Sequence, residues 1–171
     1  MPDLVPALPP GYRARPATAD DIGAIHRLVA ACECELYRRV QSDLGSIAAV
    51  LARPGLIPQL DTLLIHDQAG QLAARAWVNR RSEVDVHPQH RGRGLGTLLL
   101  NWAEARARQA GSEPIIQIVP DNDTDAVTLL LPRIRPDGDR MGAGVRHGRG
   151  AGGARSSCGY YGETVPLRRR A

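Results

Sequence analysis

Between Val84 and Trp102 the chain reads VDVHPQHRGRGLGTLLLNW and changes its period within a few residues. Val84 and Val86 alternate with Glu83 and Asp85, the pattern of a half-buried strand. Pro88 ends that pattern, and Leu95, Leu98, Leu99, Trp102 and Ala105 then recur at helical spacing as an expected buried stripe. A strand that turns into a helix through glycines presents several unpaired backbone N–H groups in one direction, at the positive end of the helix dipole. That geometry binds phosphate. Gly92, Gly94 and Gly96 let the backbone approach an anion, and Arg91 and Arg93 add guanidinium groups able to make forked bonds to phosphate oxygens. A diphosphate is the expected guest. Two common nucleotide loops do not fit, since GRGLG lacks both the Lys-Ser/Thr of a P-loop and the spacing of a dinucleotide turn.

The rest of the chain supplies elements to surround this loop. A short strand near YRARPA precedes a helix opened by Thr18, Asp20 and Asp21, with Ile22, Ile25, Leu28, Val29 and Cys32 on one face. A second helical stretch, roughly 40–52, stops at RPG. TLLIHDQAGQLAARAWVNR reads as two strands around Gln68-Ala69-Gly70-Gln71, and PIIQIVP as a buried strand bracketed by prolines. The order strand, helix, helix, three strands, helix, strand gives a mixed α/β sheet covered by helices.

Charge divides the chain unevenly. Residues 132–171 hold nine arginines against three acids, whereas residues 1–131 hold 13 against 15. The overall charge of +4 therefore belongs to the tail. All basic residues are arginine and Ala, Gly and Pro abound, as GC-rich codons alone would give, so the charge is discounted as a nucleic-acid signal. The tail lacks repeated aromatic stacking partners apart from Tyr160 and Tyr161. No apolar run suits a membrane span or a signal peptide, which leads to the expectation of a cytoplasmic protein. Cys32, Cys34 and Cys158 suit a reducing compartment, and no metal-ligand spacing accompanies them, so no metal is expected.

The run Val86-His87-Pro88-Gln89-His90-Arg91-Gly92-Arg93-Gly94-Leu95-Gly96 resembles the acyl-CoA motif of the GNAT superfamily of N-acetyltransferases, [Q/R]-x-x-G-x-[G/A], with Arg91, Gly94 and Gly96 in its three defined places. The resemblance covers about residues 11–131. It implies the α/β (α+β) GNAT fold, a mixed, mostly antiparallel sheet flanked by helices. Residues 1–10 are then an N-terminal tail, 11–131 the transferase domain, and 132–171 an irregular Arg/Gly-rich tail in place of the C-terminal strands. It implies acetyl-CoA as cosubstrate, with its diphosphate on the amides of Arg91, Gly92, Arg93, Gly94, Leu95 and Gly96, its pantetheine arm along backbone near Val86, and a further contact at Asn122. The acetyl group would pass directly to a primary amine, on a small molecule or a peptide, within a ternary complex. Oligomeric state is left open.

Such a reaction needs a general base for the amine and a polarising donor for the thioester carbonyl. Glu83 is the expected base, acting through water, with Asp85 in reserve; the N–H near Val86 is the expected donor. One position departs from the family. Alignment on Ala126 and Leu129 puts Asp123 where members often have asparagine, and Leu130 where they have the tyrosine that protonates the leaving thiolate. An alternative reading is therefore a catalytically silent acyl-CoA-binding domain, and a third is nucleic-acid binding through the tail. The tail itself has the mark of a shifted reading frame: Met141-Gly142 requires ATG-GGN, which one nucleotide on reads as tryptophan. With permitted codons, 131–144 re-read in that frame can supply a glycine-aromatic turn and a β-rich strand.

Overall fold

The computed structural model describes residues 6–79, 81–111, 116–117, 119 and 122–133. The expected irregular tail beyond Arg133, most of the PIIQIVP segment and most of the frame-shift reading lie outside the described residues. The elements are β1 (Arg13–Arg15), α1 (Ile22–Tyr37), α2 (Leu44–Leu51), α3 (Pro58–Asp61), β2 (Thr62–His66), β3 (Leu72–Asn79), β4 (Arg81–Val86), α4 (Leu95–Gln109), β5 (Ile116–Gln117) and α5 (Thr124–Leu130). The five strands lie side by side in chain order. β1 to β4 pair antiparallel, and β5 joins β4 in parallel through Arg81↔Ile116 and Ser82↔Gln117. Parallel neighbours cannot be joined by a tight turn, so the chain crosses over, and α4 is that crossover.

Both faces of the sheet are covered, which explains why TLLI carries no polar alternation. Leu63 and Ile65 of β2, with Ala74, Ala76 and Val78 of β3, pack under Leu95, Leu99, Trp102, Ala103 and Ala107 of α4. On the other face Leu64, Leu72 and Trp77 meet Ile25, Leu28 and Val29 of α1 and Ile47 of α2. The buried arc of α4 differs from the expected stripe. It runs from Trp102 through Leu95, Leu99 and Ala103 to Ala107 and Leu100, which leaves Leu98 and Ala105 half-buried at its edge. The extension toward Leu100 arises because this flank of the helix also forms a wall of the cleft described below. Two ties hold the helices in place. Asp61 accepts the Ile57 N–H at 2.6 Å and Arg106 Nε at 2.7 Å, pinning the last turns of α4 to α3.

The second tie is at the entry to α1. The Asp21 carboxylate accepts two bonds from Arg15, at 2.6 and 2.7 Å, and the Thr18 N–H at 2.8 Å. The Arg15 bonds, reinforced by Thr18 against the opposing cost of burial, hold the Asp21 carboxyl down to about 2 from an ordinary 3.8. A depressed folded-state value means stability that is present above pH 4 and lost as pH falls through about 2. Asp21→Asn is expected to cost on the order of 1 kcal/mol at neutral pH, a figure discounted because Arg15 is half-exposed. The deficit in Tm should shrink between pH 4 and pH 2; a deficit that stays constant over that range would show that the charge contributes nothing.

Candidate functional site

β4 carries the first half of the site. The His87 N–H bonds to Ala73 O at 2.9 Å, and Asp85 stands opposite Arg75. Antiparallel alternation then turns the N–H and C=O of Asp85 toward β3, and those of Val84 and Val86 toward the opposite edge. The Val86 carbonyl shows that direction: it accepts Arg91 Nε at 3.3 Å and the Cys32 thiol at 3.4 Å. Among the described residues β5 pairs with β4 only as far as Ser82, and no described strand pairs with the edge from Glu83 to Val86. Burial first, and then the charge of Asp85, push the Cys32 thiol up to about 12, so it is a neutral donor in this setting.

The glycine loop carries the second half. A 3-10 turn at Pro88–His90 leads to Gly92 and Gly94 at φ of 71° and 81°, a region that side chains disfavour. Gly94 caps α4 without a side chain, and the first i→i−4 bond of the helix runs from the Leu98 N–H to Gly94 O. The amides of Leu95, Gly96 and Thr97 are therefore left for an outside acceptor. Open space lies over Gly92 and Gly94, whereas a Cβ on Gly96 would meet Leu129 Cδ2 of α5 at 3.2 Å. So the first two glycines leave room for a ligand, and the third lets α5 approach α4. The Leu95 side chain points into the core, and its part in the loop is its backbone.

Neither loop arginine hangs free. Arg91 reaches back to Glu35 of α1 at 2.6 Å, which fastens the loop to that helix. Arg93 donates to Tyr12 Oη at 3.0 Å, and Tyr12 lies 2.9 Å from His90 Nδ1. Burial, followed by the charge of Arg93, lowers His90 below its ordinary value, which favours a neutral ring that accepts from the Tyr12 hydroxyl.

Glu83 and Asp85 lie on the α1 side of β4, and the structure gives them unequal surroundings. Arg75 of β3 is buried, stacks 3.6 Å from the centre of the Trp77 ring, and places Nη2 at 2.5 Å from Asp85 and 3.4 Å from Glu83. Asp85 is thus committed to Arg75. Glu83 is held more loosely, with 45% of its side chain exposed. Nε and Nη1 of Arg75 have no hydrogen-bond partner among the described residues. Trp77 is buried in the core and also supplies the ring beneath this guanidinium.

These parts open into one cleft of about 970 Å³, walled by α1, β4, the loop, the start of α4 and α5. Val86, Arg91, Gly92, Gly94, Leu95, Gly96, Glu83 and Asp85 all line it. Arg93 and Asn122 are not in its wall; the Asn122 amide donates to Leu36 O at the end of α1, at 3.0 Å. Asp123 caps α5 by accepting the Ala126 N–H at 3.0 Å, and Leu130 lines the cleft without a hydroxyl to offer. The sequence reading missed Arg75, Glu35 and Tyr12. No local pattern marks them, because each acts across a strand pairing or helix packing that only the fold creates. Among the described residues no group of His, Cys, Asp and Glu is arranged to hold a metal ion, and no helix is long and apolar enough to cross a membrane.

A family profile described as the acetyltransferase (GNAT) family matches residues 63–130. The chain is 31% identical over 115 residues to the aminoalkylphosphonate N-acetyltransferase of Salmonella typhimurium, an alignment covering 61% of this chain and 71% of that protein. Its fold is similar to a GCN5-related N-acetyltransferase from Sphaerobacter thermophilus, with a TM-score of 0.67, 26% identity and 74% of this chain covered. The chain spans 44% of that larger protein. It is also similar in fold to yncA from Salmonella typhimurium, whose structure contains its cofactor acetyl-CoA, with a TM-score of 0.58, 22% identity, and 70% and 76% of the two chains covered.

Proposed function

This chain belongs to the GNAT family of acetyltransferases, and from that premise we propose that it binds acetyl-CoA in the cleft and transfers the acetyl group directly to a primary amine. The observation that carries the reading is a convergence. The unpartnered amides of the first turn of α4, the edge of β4 that no described strand pairs with and the loosely held Glu83 all face one cleft. The cleft fits the group: open space over two left-handed glycines leaves room for a diphosphate, and the volume suits a large ligand. Acetyl-CoA, when bound, supplies an activated acetyl thioester.

The protein's own residues do the rest. Amides from Gly92 to Thr97 hold the diphosphate oxygens, and the α4 dipole adds to their field. Arg91, tied to Glu35 and the Val86 carbonyl, keeps the loop at a fixed height over the strand. The backbone of Val84 and Val86 orients the pantetheine arm as a further strand would be oriented, and the Val86 N–H polarises the thioester carbonyl. Glu83, acting through a water, takes the proton that the amine must lose. Asp85 is committed to Arg75, and its part is to hold that guanidinium in place. Asn122 is held by Leu36, and its role is to join α5 to α1 at the rim. The acceptor is an amine on a small molecule, as the name of the aminoalkylphosphonate relative suggests.

One observation favours a second reading, a domain that binds acyl-CoA without turnover: Leu130 stands where a proton donor for the thiolate would be expected. A paired experiment separates the two. Acetyl-CoA at a hundredfold excess over its Kd should stabilise the chain by about 2.7 kcal/mol in thermal unfolding, and free thiol should appear when a primary amine is added. A thermal shift without thiol release would replace transfer by silent binding. Absence of any shift would remove both.

A further inference from the structure

The cleft's cations can be accounted for one by one, and the account leaves a remainder. Arg75 is matched by Asp85, and Arg91 by Glu35. His90 is engaged with Tyr12. Glu33, on α1, is consumed by the N–H groups of Gln41 and Ser42 and by the Ser42 hydroxyl, at 2.8 to 3.0 Å. Arg81, the first residue of β4, is exposed and lines the same cleft, and its side chain has no hydrogen-bonded or ionic partner among the described residues. It is the one cation of the cleft wall left in that condition among the described residues.

Its position relative to Glu83 is fixed by the strand. Residues two apart on a strand share a face and stand about 6.6 Å apart. Arg81 and Glu83 therefore project to the same side of β4, and both β3 pairings, Asn79↔Arg81 and Trp77↔Glu83, hold that register. Arg81 is also where β5 joins β4, at the end of the strand away from the glycine loop, so it sits farther from that loop than Glu83 does. The order along the cleft is loop, strand edge, Glu83, Arg81. An amine positioned at Glu83 for acetylation has the rest of its molecule directed toward Arg81.

We propose that Arg81 is the specificity determinant of the acceptor side, and that it selects short amines carrying an oxyacid group, a carboxylate, sulfonate or phosphonate, two or three carbons from the nitrogen. The chemistry follows from the remainder. A free guanidinium makes forked, charge-assisted bonds to an oxyanion, and a loosely paired carboxylate favours an ammonium. One cation and one carboxylate at this spacing complement a small zwitterion, whereas a neutral amine of equal length leaves the guanidinium without a partner. Arg75 does not compete for the anion, since its Nη2 is taken by Asp85, its face by Trp77, and its two remaining N–H-bearing nitrogens, Nε and Nη1, are buried. This inference deepens the acetyl-transfer reading and rests on it.

The test compares 2-aminoethylphosphonate with ethanolamine, which matches its length but lacks the acid. Binding of each to the full chain saturated with free CoA is measured by calorimetry, so that no turnover intervenes, and thiol release from acetyl-CoA is followed separately. The phosphonate should bind at least tenfold tighter than ethanolamine. The ratio should fall to near one in Arg81→Ala, invert in Arg81→Glu and recover in part in Arg81→Lys. A ratio near one in the parent chain, a ratio that Arg81→Ala leaves intact, or no binding of either amine overturns the proposal. Selective, Arg81-dependent binding without thiol release upholds Arg81 and refutes acetyl transfer; equal thiol release with both amines does the reverse.

Discussion

Glu83→Gln is expected to slow acetyl transfer by about two to four orders of magnitude at neutral pH, the range lost when a positioned general base is removed. The thermal shift given by acetyl-CoA should be unchanged, because the glutamine amide is isosteric and the residue lies outside the amide loop. Folding should be spared too. Arg75 keeps its shorter bond to Asp85, so the buried guanidinium is not orphaned. Asp85→Asn is the informative contrast: it weakens the partner of a buried cation, and its main effect should appear in stability. Initial rates of thiol release at saturating acetyl-CoA decide the matter, and a Glu83→Gln rate within threefold of the parent would remove Glu83 from the chemistry.

Asp61→Ala should be the costliest single change outside the cleft, destabilising the fold by about 3–5 kcal/mol. The substitution leaves the Arg106 guanidinium, whose side chain is 14% exposed, without its counter-charge, and the Ile57 amide without an acceptor. Against a typical total of about 5–15 kcal/mol, that is a large fraction of the stability. The urea midpoint should fall with little change in slope. Replacing both partners by apolar residues, Asp61→Leu with Arg106→Met, should recover much of the loss. An unfolding free energy for Asp61→Ala within about 1 kcal/mol of the parent would show that water already compensates the pair.

What could be read from the sequence was what is written locally. The passage from Val84 to Trp102 carries its own period change and its own glycines, so the strand, the loop and the helix were legible together. The hairpin at Gln68–Gln71 was legible for the same reason: a Gly-containing turn between apolar runs. The unequal surroundings of Glu83 and Asp85 were not. They depend on which β3 residue stands opposite, and a shift of one place would exchange Arg75 for an alanine. The two loop arginines were read as ligands of phosphate because their chemistry allows it, yet Arg91 is bound to Glu35 and Arg93 to Tyr12, partners 56 and 81 residues away along the chain. The α4 stripe was displaced because burial follows two contacts, the sheet below and the cleft wall at its side, where periodicity supposes one.

The layer between α4 and the sheet consists in large part of alanines: Ala74 and Ala76 below, Ala103 and Ala107 above. Small side chains on both sides let the helix lie close to the strands, and the first turn of α4, with its unpartnered amides, stands at the cleft. The thickness of that layer therefore sets how high those amides stand over the sheet. One methylene added at Ala103 or Ala107 would raise the helix and reshape the cleft from a distance, while every group that lines it keeps its identity. In this fold the dimensions of the cleft are calibrated by the smallest side chains in the core.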